Sequence, residues 1–251
     1  MVARRALVRE PGSTFSRCIS THPMKHTIDV ARARVQHATY VATLEDLGLE
    51  VVRLPRDDSL PDSCFVEDTA VVHGARALLG LPAEAGRRGE TESVRSVLSG
   101  YLDVMDAKAP ATIEGGDVLH LQERLVCGLT RRTNEAGAEQ LADWLGVRVD
   151  TVRDPSIMHL KSYVSHIDGE RVLVTRGFAG APALDGLDKL VVPEGEEYAA
   201  NALSVNGTVV MPKGYPKTKA LLERSGVEVM ALEMTEFPKC DGAMTCLSIL
   251  F

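Results

Sequence analysis

The hydrophobic positions of the chain fall into short apolar runs that come in pairs, each pair broken by a turn signal. Residues 71–80 read as an apolar strand, a turn at Gly74 and a second apolar strand. The plan recurs at 118–128, at 163–174 with Asp168-Gly169 in the turn, and at 202–211 with Asn206-Gly207. Asp-Gly and Asn-Gly supply the positive φ angles that tight hairpin turns require, so the last two pairs are the firmest β-hairpins. Helical segments are predicted between the pairs. Residues 91–101 follow the first, and 134–146, where Ala138, Leu141, Ala142 and Leu145 recur at helical spacing, follow the second. Residues 216–225 follow the fourth, with Pro216 at the start and Gly226 just past the end. The third pair has only the short stretch 183–189 behind it.

The turns at Gly74, Gln122, Gly169 and Gly207 are separated by 48, 47 and 38 residues. A period of this size marks repeated supersecondary units, none of which can bury its apolar face alone. An N-terminal unit fits the same plan, with a strand at 5–8, a helix at 29–47 and a strand at 51–54. The pattern predicts five α/β modules closing into one ring, in a single domain over residues 1–251; an open α/β sheet with hairpin insertions is the competing arrangement. No G-x-G-x-x-G or G-x-x-x-x-G-K-[ST] motif supports nucleotide binding.

Composition narrows the partners. The formal net charge is −7, which argues against a nucleic-acid partner. With 45% hydrophobic and only 4% aromatic residues, the core is filled mainly by Ala, Val and Leu. Residues 1–10 carry Arg4, Arg5 and Arg9 and no apolar stretch of signal-peptide length, and no run approaches the roughly 20 apolar residues of a membrane span. The five cysteines include no C-x-x-C pair, so the sequence suggests neither a disulfide framework nor a structural zinc site, and it points to a reducing cytoplasm.

Four clusters at strand ends or turns carry candidate chemistry. In Asp62-Ser63-Cys64-Phe65-Val66-Glu67-Asp68-Thr69, strand alternation would send Glu67 and Asp68 to opposite faces, so one of them faces inward. Glu114-Gly115-Gly116-Asp117 sets two glycines, which allow close backbone approach, between two acids. His159 stands in an otherwise apolar approach to the third hairpin, and Cys246 begins the last apolar run. A buried inert thiol and a satisfied core histidine are the ordinary fates of such residues. A thiol, a distant histidine and a surplus of carboxylates are nevertheless the ingredients of nucleophilic attack on a cationic substrate. A guanidinium is planar, permanently charged and matched to paired carboxylates. Arg88 in Arg87-Arg88-Gly89-Glu90 and Arg132 in Arg131-Arg132-Thr133-Asn134 would then receive a substrate carboxylate.

These stretches, with His159-Leu160-Lys161-Ser162, Asp241-Gly242 and Thr245-Cys246, resemble, in their order along nearly the whole chain, the motifs of the dimethylarginine dimethylaminohydrolases. The resemblance implies a five-bladed α/β propeller of pseudo-symmetric ββαβ modules, the pentein fold of the guanidino-group-modifying enzymes. It implies that Cys246 is the nucleophile, His159 the general acid and base, and Glu114 the residue that orients it. Asp68, helped by Glu67, would hold the guanidinium, Asp62 the α-amino group, and Arg88 and Arg132 the α-carboxylate, with a slip from Arg88 to Arg87 left open. A lid would fall at Ser13 to Ser20, and Cys240 would be a packing residue or a second reactive thiol. The partner so implied is a small methylarginine, with no metal or organic cofactor, no nucleic acid and no membrane; a homodimer is compatible with the sequence and not specified by it. Competing activities are an arginine deiminase, which carries an additional helical domain that 251 residues leave no room for, an amidinotransferase, and a non-catalytic methylarginine binder that would have no use for Cys246, His159 and Glu114 together.

Overall fold

The apolar pairs become hairpins because their turns are locally encoded. At Asn206-Gly207 both residues take positive φ, 49° and 90°, as a two-residue turn of the right twist demands. The architecture is given by a computed structural model that describes residues 3–251; the first two positions of the basic N-terminal stretch lie outside the described residues. The chain runs β1 (Arg5–Arg9), α1 (Val30–Asp46), β2 (Glu50–Leu54), β3 (Ala70–His73), β4 (Arg76–Leu79), α2 (Thr91–Leu98) and β5 (Asp103–Asp106). It continues through β6 (Val118–His120), β7 (Arg124–Leu129), α3 (Glu135–Leu145), β8 (Arg148–Arg153), β9 (Val164–Asp168), β10 (Arg171–Val174) and β11 (Asp188–Val191). The last elements are β12 (Leu203–Val205), β13 (Thr208–Pro212), α4 (Pro216–Arg224), β14 (Glu228–Leu232) and β15 (Ile249–Leu250).

Helix ends follow their capping chemistry. Asp29 accepts the Arg32 amide at 3.0 Å to start α1, Asn134 accepts the Gly137 amide at 2.9 Å to start α3, and Gly146 ends α3 in the left-handed region at φ 65°. The helix expected at 183–189 does not form, and a single 3₁₀ turn at Pro182–Leu184 takes its place. Gly177, Gly180, Pro182 and Gly186 crowd that connection, and each disfavours a continued helix.

The strands form five three-stranded sheets, and each is one module. In β3-β4-β5 the central strand is antiparallel to its hairpin partner and parallel to the strand that returns after the helix, so Leu78 faces Val71 on one side and Met105 on the other. The sheets β6-β7-β8, β9-β10-β11 and β12-β13-β14 repeat the plan. The remaining sheet is built from both ends of the chain: β1 pairs antiparallel with β15, Leu7 opposite Ile249, and parallel with β2, Leu7 opposite Val52. The ring of five modules expected from the repeat is thereby closed.

One expectation fails in this closing module. Cys18 and Cys240, 222 residues apart, form a disulfide with their Cα atoms 6.1 Å apart. Neither spacing nor motif announces the pair, because it is the β15–β1 closure that brings the two chain ends together.

A short 3₁₀ turn precedes the first strand of every module: Val66–Thr69, Gly115–Asp117, Leu160–Ser162, Glu197–Ala200 and Thr245–Leu247. Hydrogen bonds join these turns around the ring. Asp68 accepts the Gly116 amide at 3.2 Å, and Asp117 accepts the Leu160 amide at 2.9 Å. Asn201 donates to the Lys161 carbonyl at 3.0 Å and exchanges two bonds with Thr245, whose hydroxyl donates to Glu67 at 2.7 Å. The circuit closes at the turn where it began, at one end of the ring.

Candidate active site

Four of the residues singled out in the sequence lie on or beside these turns, one from each of four modules. Asp68 is in the turn before β3, Glu114 caps the turn before β6, His159 caps the turn before β9, and Cys246 is inside the turn before β15. His159 Nε2 lies 2.9 Å from Glu114 Oε2 and 3.6 Å from Asp68 Oδ1. A cavity of about 20 Å³ is lined by Asp62, Asp68, Arg87, Arg132, His159 and Cys246, all of them buried. A second cavity, about 860 Å³, runs along the first strands of the modules from the turns to the hairpin tips at His73, Asp168 and Asn206, and no cysteine lines it.

The glycines of Glu114-Gly115-Gly116-Asp117 serve close approach. A Cβ on Gly116 would lie 2.7 Å from Asp68 Oδ1 and 2.8 Å from the His159 ring, and one on Gly115 would strike the Glu67 carbonyl. A Cβ on Gly242 would strike the Phe65 ring. Tyr40, buried under the segment that carries Cys246, shares a 2.7 Å hydrogen bond with Ser248.

The charges of the site are set by burial against partners. Burial alone would lower the His159 pKa, but Asp68, the Glu114 hydrogen bond and Asp117 outweigh it and raise it to about 9. Burial would raise Asp68, but His159 and Arg87 hold it below the usual carboxylate range. Burial, then the negative Glu67 and Asp68, push the Cys246 thiol well up, so the resting sulfur carries its proton. Burial also raises Asp62, against the pull of Arg87 and the Ile19 amide. Asp117, raised to about 6 by burial, accepts Thr130 Oγ1 at 2.8 Å and the Leu160 amide, and so fixes the residue next to His159.

Two expectations are corrected. Arg88 does not reach the cavity: it is exposed, and its Nε donates to the Pro82 carbonyl at 3.1 Å. Arg87 is the buried member of the pair, 2.8 Å from both Asp68 and Glu90 and 3.6 Å from Glu114. In the 3₁₀ segment Ala85–Glu90, residues 87 and 90 share the inner face, and position 88 turns outward. Glu67 does not line the small cavity either. Its oxygens accept Lys161 Nζ at 2.6 Å and Thr245 Oγ1 at 2.7 Å on the side of the large cavity. The alternation argument assumed a strand where the chain makes a 3₁₀ turn. Asp62 and Arg132 are in the cavity wall as expected, and Arg132 Nη1 is buried with no hydrogen-bond partner. Glu90 was unassigned in the sequence, although its spacing of three from Arg87 could have revealed it.

Among the described residues two groups bring three metal-ligating atoms together. In Asp68, Glu114 and His159 the intervening charge is supplied by Arg87, and in Cys18, Asp62 and Cys240 the two sulfurs are bonded to each other.

Comparison with known proteins agrees with this arrangement. The protein-family model described as "Arginine deiminase" matches residues 57–184. The N(G),N(G)-dimethylarginine dimethylaminohydrolase of Pseudomonas aeruginosa is 33% identical over 89% of this chain and 90% of its own. The crystal structure of the Pseudomonas aeruginosa enzyme as a cysteine-to-serine mutant complexed with citrulline superimposes with a TM-score of 0.96, at 30% identity and covering 100% of both chains. A dimethylarginine dimethylaminohydrolase histidine-to-glycine adduct with S-methyl-L-thiocitrulline matches equally, with a TM-score of 0.96 at 30% identity over 100% of both chains. Identity of 33% carried over nearly the full length, on a ring that superimposes as a whole, leaves a single assignment: this chain belongs to the dimethylarginine dimethylaminohydrolase family of the pentein superfamily.

Proposed function

We propose that the protein hydrolyses Nω-methylated arginines, asymmetric dimethylarginine and monomethylarginine, to citrulline and a methylamine through a covalent cysteine intermediate. The observation that carries the reading is that Cys246 and His159, the latter bonded to Glu114 behind it, share a cavity whose other charged walls are Asp62, Asp68, Asp241, Arg87 and Arg132. That wall fits an amino acid with a cationic tail. Asp68 takes the guanidinium, Asp62 the α-amino group, and Arg132, whose Nη1 makes no hydrogen bond, takes the α-carboxylate with Arg87. Asp68 is already shared with Arg87 and Gly116, so the substrate guanidinium joins an existing network.

Binding the cation lowers the Cys246 pKa by the same electrostatics that the nearby carboxylates raise it. As the cation binds, the thiol gives its proton to solvent; the thiolate adds to the guanidinium carbon, and His159, protonated below about pH 9, gives its proton to the departing methylamine. The carbon–nitrogen bond breaks and leaves a thiouronium on sulfur. His159, now neutral, takes a proton from water, the resulting hydroxide adds to the same carbon, and the carbon–sulfur bond breaks as the new hydroxyl gives its proton to the departing sulfur, releasing citrulline and the thiol. Glu114 holds the imidazole and stabilises its charged form. Glu67, held by Lys161 and Thr245, keeps the thiol from ionising before the cation arrives through its negative charge.

We place the enzyme in the cytoplasm, a reading supported by the free thiols of Cys64, Cys127 and Cys246. No helix among the described residues is long and apolar enough to cross a membrane. A citrulline assay with asymmetric dimethylarginine, monomethylarginine, arginine and agmatine, run beside Cys246→Ala, tests the proposal. Product from the methylated substrates alone, lost in the variant, is the expected result; product mainly from arginine or agmatine, or turnover that survives the substitution, overturns it.

A further inference from the structure

The small cavity is roofed. Between Phe15, buried against Phe65 and Phe237, and the start of α1 at Val30, the chain crosses its mouth and buries a single side chain, Cys18. Ile19, the next residue, lines the cavity, and its amide donates to both oxygens of Asp62 at 3.2 and 3.0 Å. Opposite stand Cys240 and Asp241-Gly242, also in the cavity wall. The two sides are joined by the Cys18–Cys240 disulfide, by Ser20 Oγ on the Lys239 carbonyl at 3.4 Å and by Lys239 Nζ on the Thr27 carbonyl at 3.0 Å. What remains beneath is about 20 Å³, little more than the roughly 10–15 Å³ that one water needs. An amino acid the size of arginine neither fits through nor under this roof.

We infer that Cys18 and Cys240 are a reversible thiol–disulfide modification site that latches the substrate cavity shut when oxidised and frees it when reduced. The inference rests on the proposed reading of the cavity as the methylarginine site. The other attachments are hydrogen bonds, some of them part-buried as at Asp62, Ser20 and between the Asp29 amide and Glu236, and these open and close. The disulfide is the one bond across the mouth that thermal motion does not break, so its chemistry decides whether residues 16–29 can lift. In a cytoplasmic protein such a bond is characteristically transient. Reduction needs a dithiol, small-molecule or protein. One of its thiolates attacks a latch sulfur, the sulfur–sulfur bond breaks, and the displaced thiolate takes a proton. The reductant's second thiolate then resolves the mixed disulfide, so two electrons and two protons pass to Cys18 and Cys240 and the reductant leaves as a disulfide.

Cys18 lies outside the cavity wall, so Cys18→Ser removes the latch without touching it, and Cys240→Ser provides a second variant should the first fail to fold. The wild type and the variant are each treated with oxidised or reduced dithiothreitol. Linked Cys18–Cys240 peptides are mapped by non-reducing mass spectrometry, the alkylation rate of Cys246 by iodoacetamide is read by peptide mass, and citrulline formation is followed. We expect the oxidised wild type to alkylate at Cys246 and to turn over about tenfold or more slowly than the reduced form, and Cys18→Ser to match the reduced form under both treatments. Equal Cys246 alkylation in the oxidised and reduced wild type overturns the latch. So does an oxidant-dependent loss of the same size in Cys18→Ser, which would place the effect on Cys246 itself. If no form makes citrulline while alkylation still follows the state of the latch, the substrate reading fails and the latch stands.

Discussion

Replacing Glu114 by Gln isolates the electrostatic half of its contact with His159. The amide is isosteric and still accepts a hydrogen bond through its carbonyl oxygen, so the 2.9 Å contact survives while the negative charge is lost. A hydrogen bond to a charged group contributes about 1.5–3 kcal/mol against about 1 for a neutral one, so the imidazolium loses about 1–2 kcal/mol of stabilisation. At about 1.4 kcal/mol per pKa unit, His159 falls from about 9 to about 8; Asp68 and Asp117 keep their charges and prevent a larger drop. Because His159 must be protonated to expel the methylamine, the alkaline limb of kcat moves down by about one unit. At pH 9 the protonated fraction drops from about one half to about one tenth, so the rate, normalised at pH 7, falls about fivefold relative to the wild type. Single-turnover citrulline formation from about pH 6.5 to about 10, with a parallel NMR titration of the His159 ring, reads both quantities. Glu114 also lies 3.6 Å from Arg87 and 3.7 Å from Arg132, so a change in KM is expected alongside, and only the pH limb of kcat bears on His159. An unmoved limb with a lowered ring pKa refutes His159 as the acid; a ring pKa that stays at about 9 refutes the account of what raises it.

Three further outcomes follow from the same geometry. Arg87→Ala leaves Asp68 and Glu90 buried without their cation and destabilises the protein by about 3–5 kcal/mol, whereas Arg88→Ala stays within about 0.5 kcal/mol and keeps the wild-type KM; urea unfolding and steady-state kinetics on both variants would expose a reversed assignment. Gly116→Ala drives a methyl group into Asp68 and His159 and lowers kcat by about a hundredfold or more, while a variant with near-normal turnover would show that the close packing has no catalytic consequence. His159 is raised above its unfolded value, so its stabilising contribution is complete below about pH 6.5 and is lost as pH climbs through about 9, a decline of about 3 kcal/mol. Glu90, raised to about 7, and Asp117, raised to about 6, lose theirs at lower pH, so unfolding midpoints between about pH 7.5 and 9.5 that stay flat would contradict the His159 assignment.

The ring was legible because its signals are local. Asn206-Gly207 fixes a hairpin by itself, Asn134 and Gly146 fix the ends of α3, and four such hairpins at similar spacing leave few other arrangements. What failed depended on contacts between segments or on a turn of less than four residues per cycle. Arg87 and Arg88 are neighbours in a basic stretch, and only the phase of the 3₁₀ segment decides which of them is buried. Glu67 and Asp68 were read with the period of a strand, and the 3₁₀ turn sends Glu67 to Lys161 and Asp68 to His159 by a different geometry. The Cys18–Cys240 pair depends on a ring closed by the two chain ends, which no window of sequence contains.

The same periodicity accounts for a reactive site drawn from residues as far apart as Asp68 and Cys246. Each module reaches the end of the ring through one 3₁₀ turn, so any chemistry there is distributed one group per module. The module of β12, β13, α4 and β14 gives none of the four reactive groups, yet its turn is followed by Asn201, which is buried and bonds both to Lys161 on one side and to Thr245 on the other. Those bonds tie the turn that carries His159 to the turn that carries Cys246 across the module that separates them. Thr245 then passes the connection to Glu67, next to Asp68. The turns that bring Asp68, His159 and Cys246 together are therefore held in register by a closed set of hydrogen bonds rather than by any one element. Asn201 lies in a module that supplies none of the four reactive groups, and the placement of the turns on either side of it depends on the ring being closed.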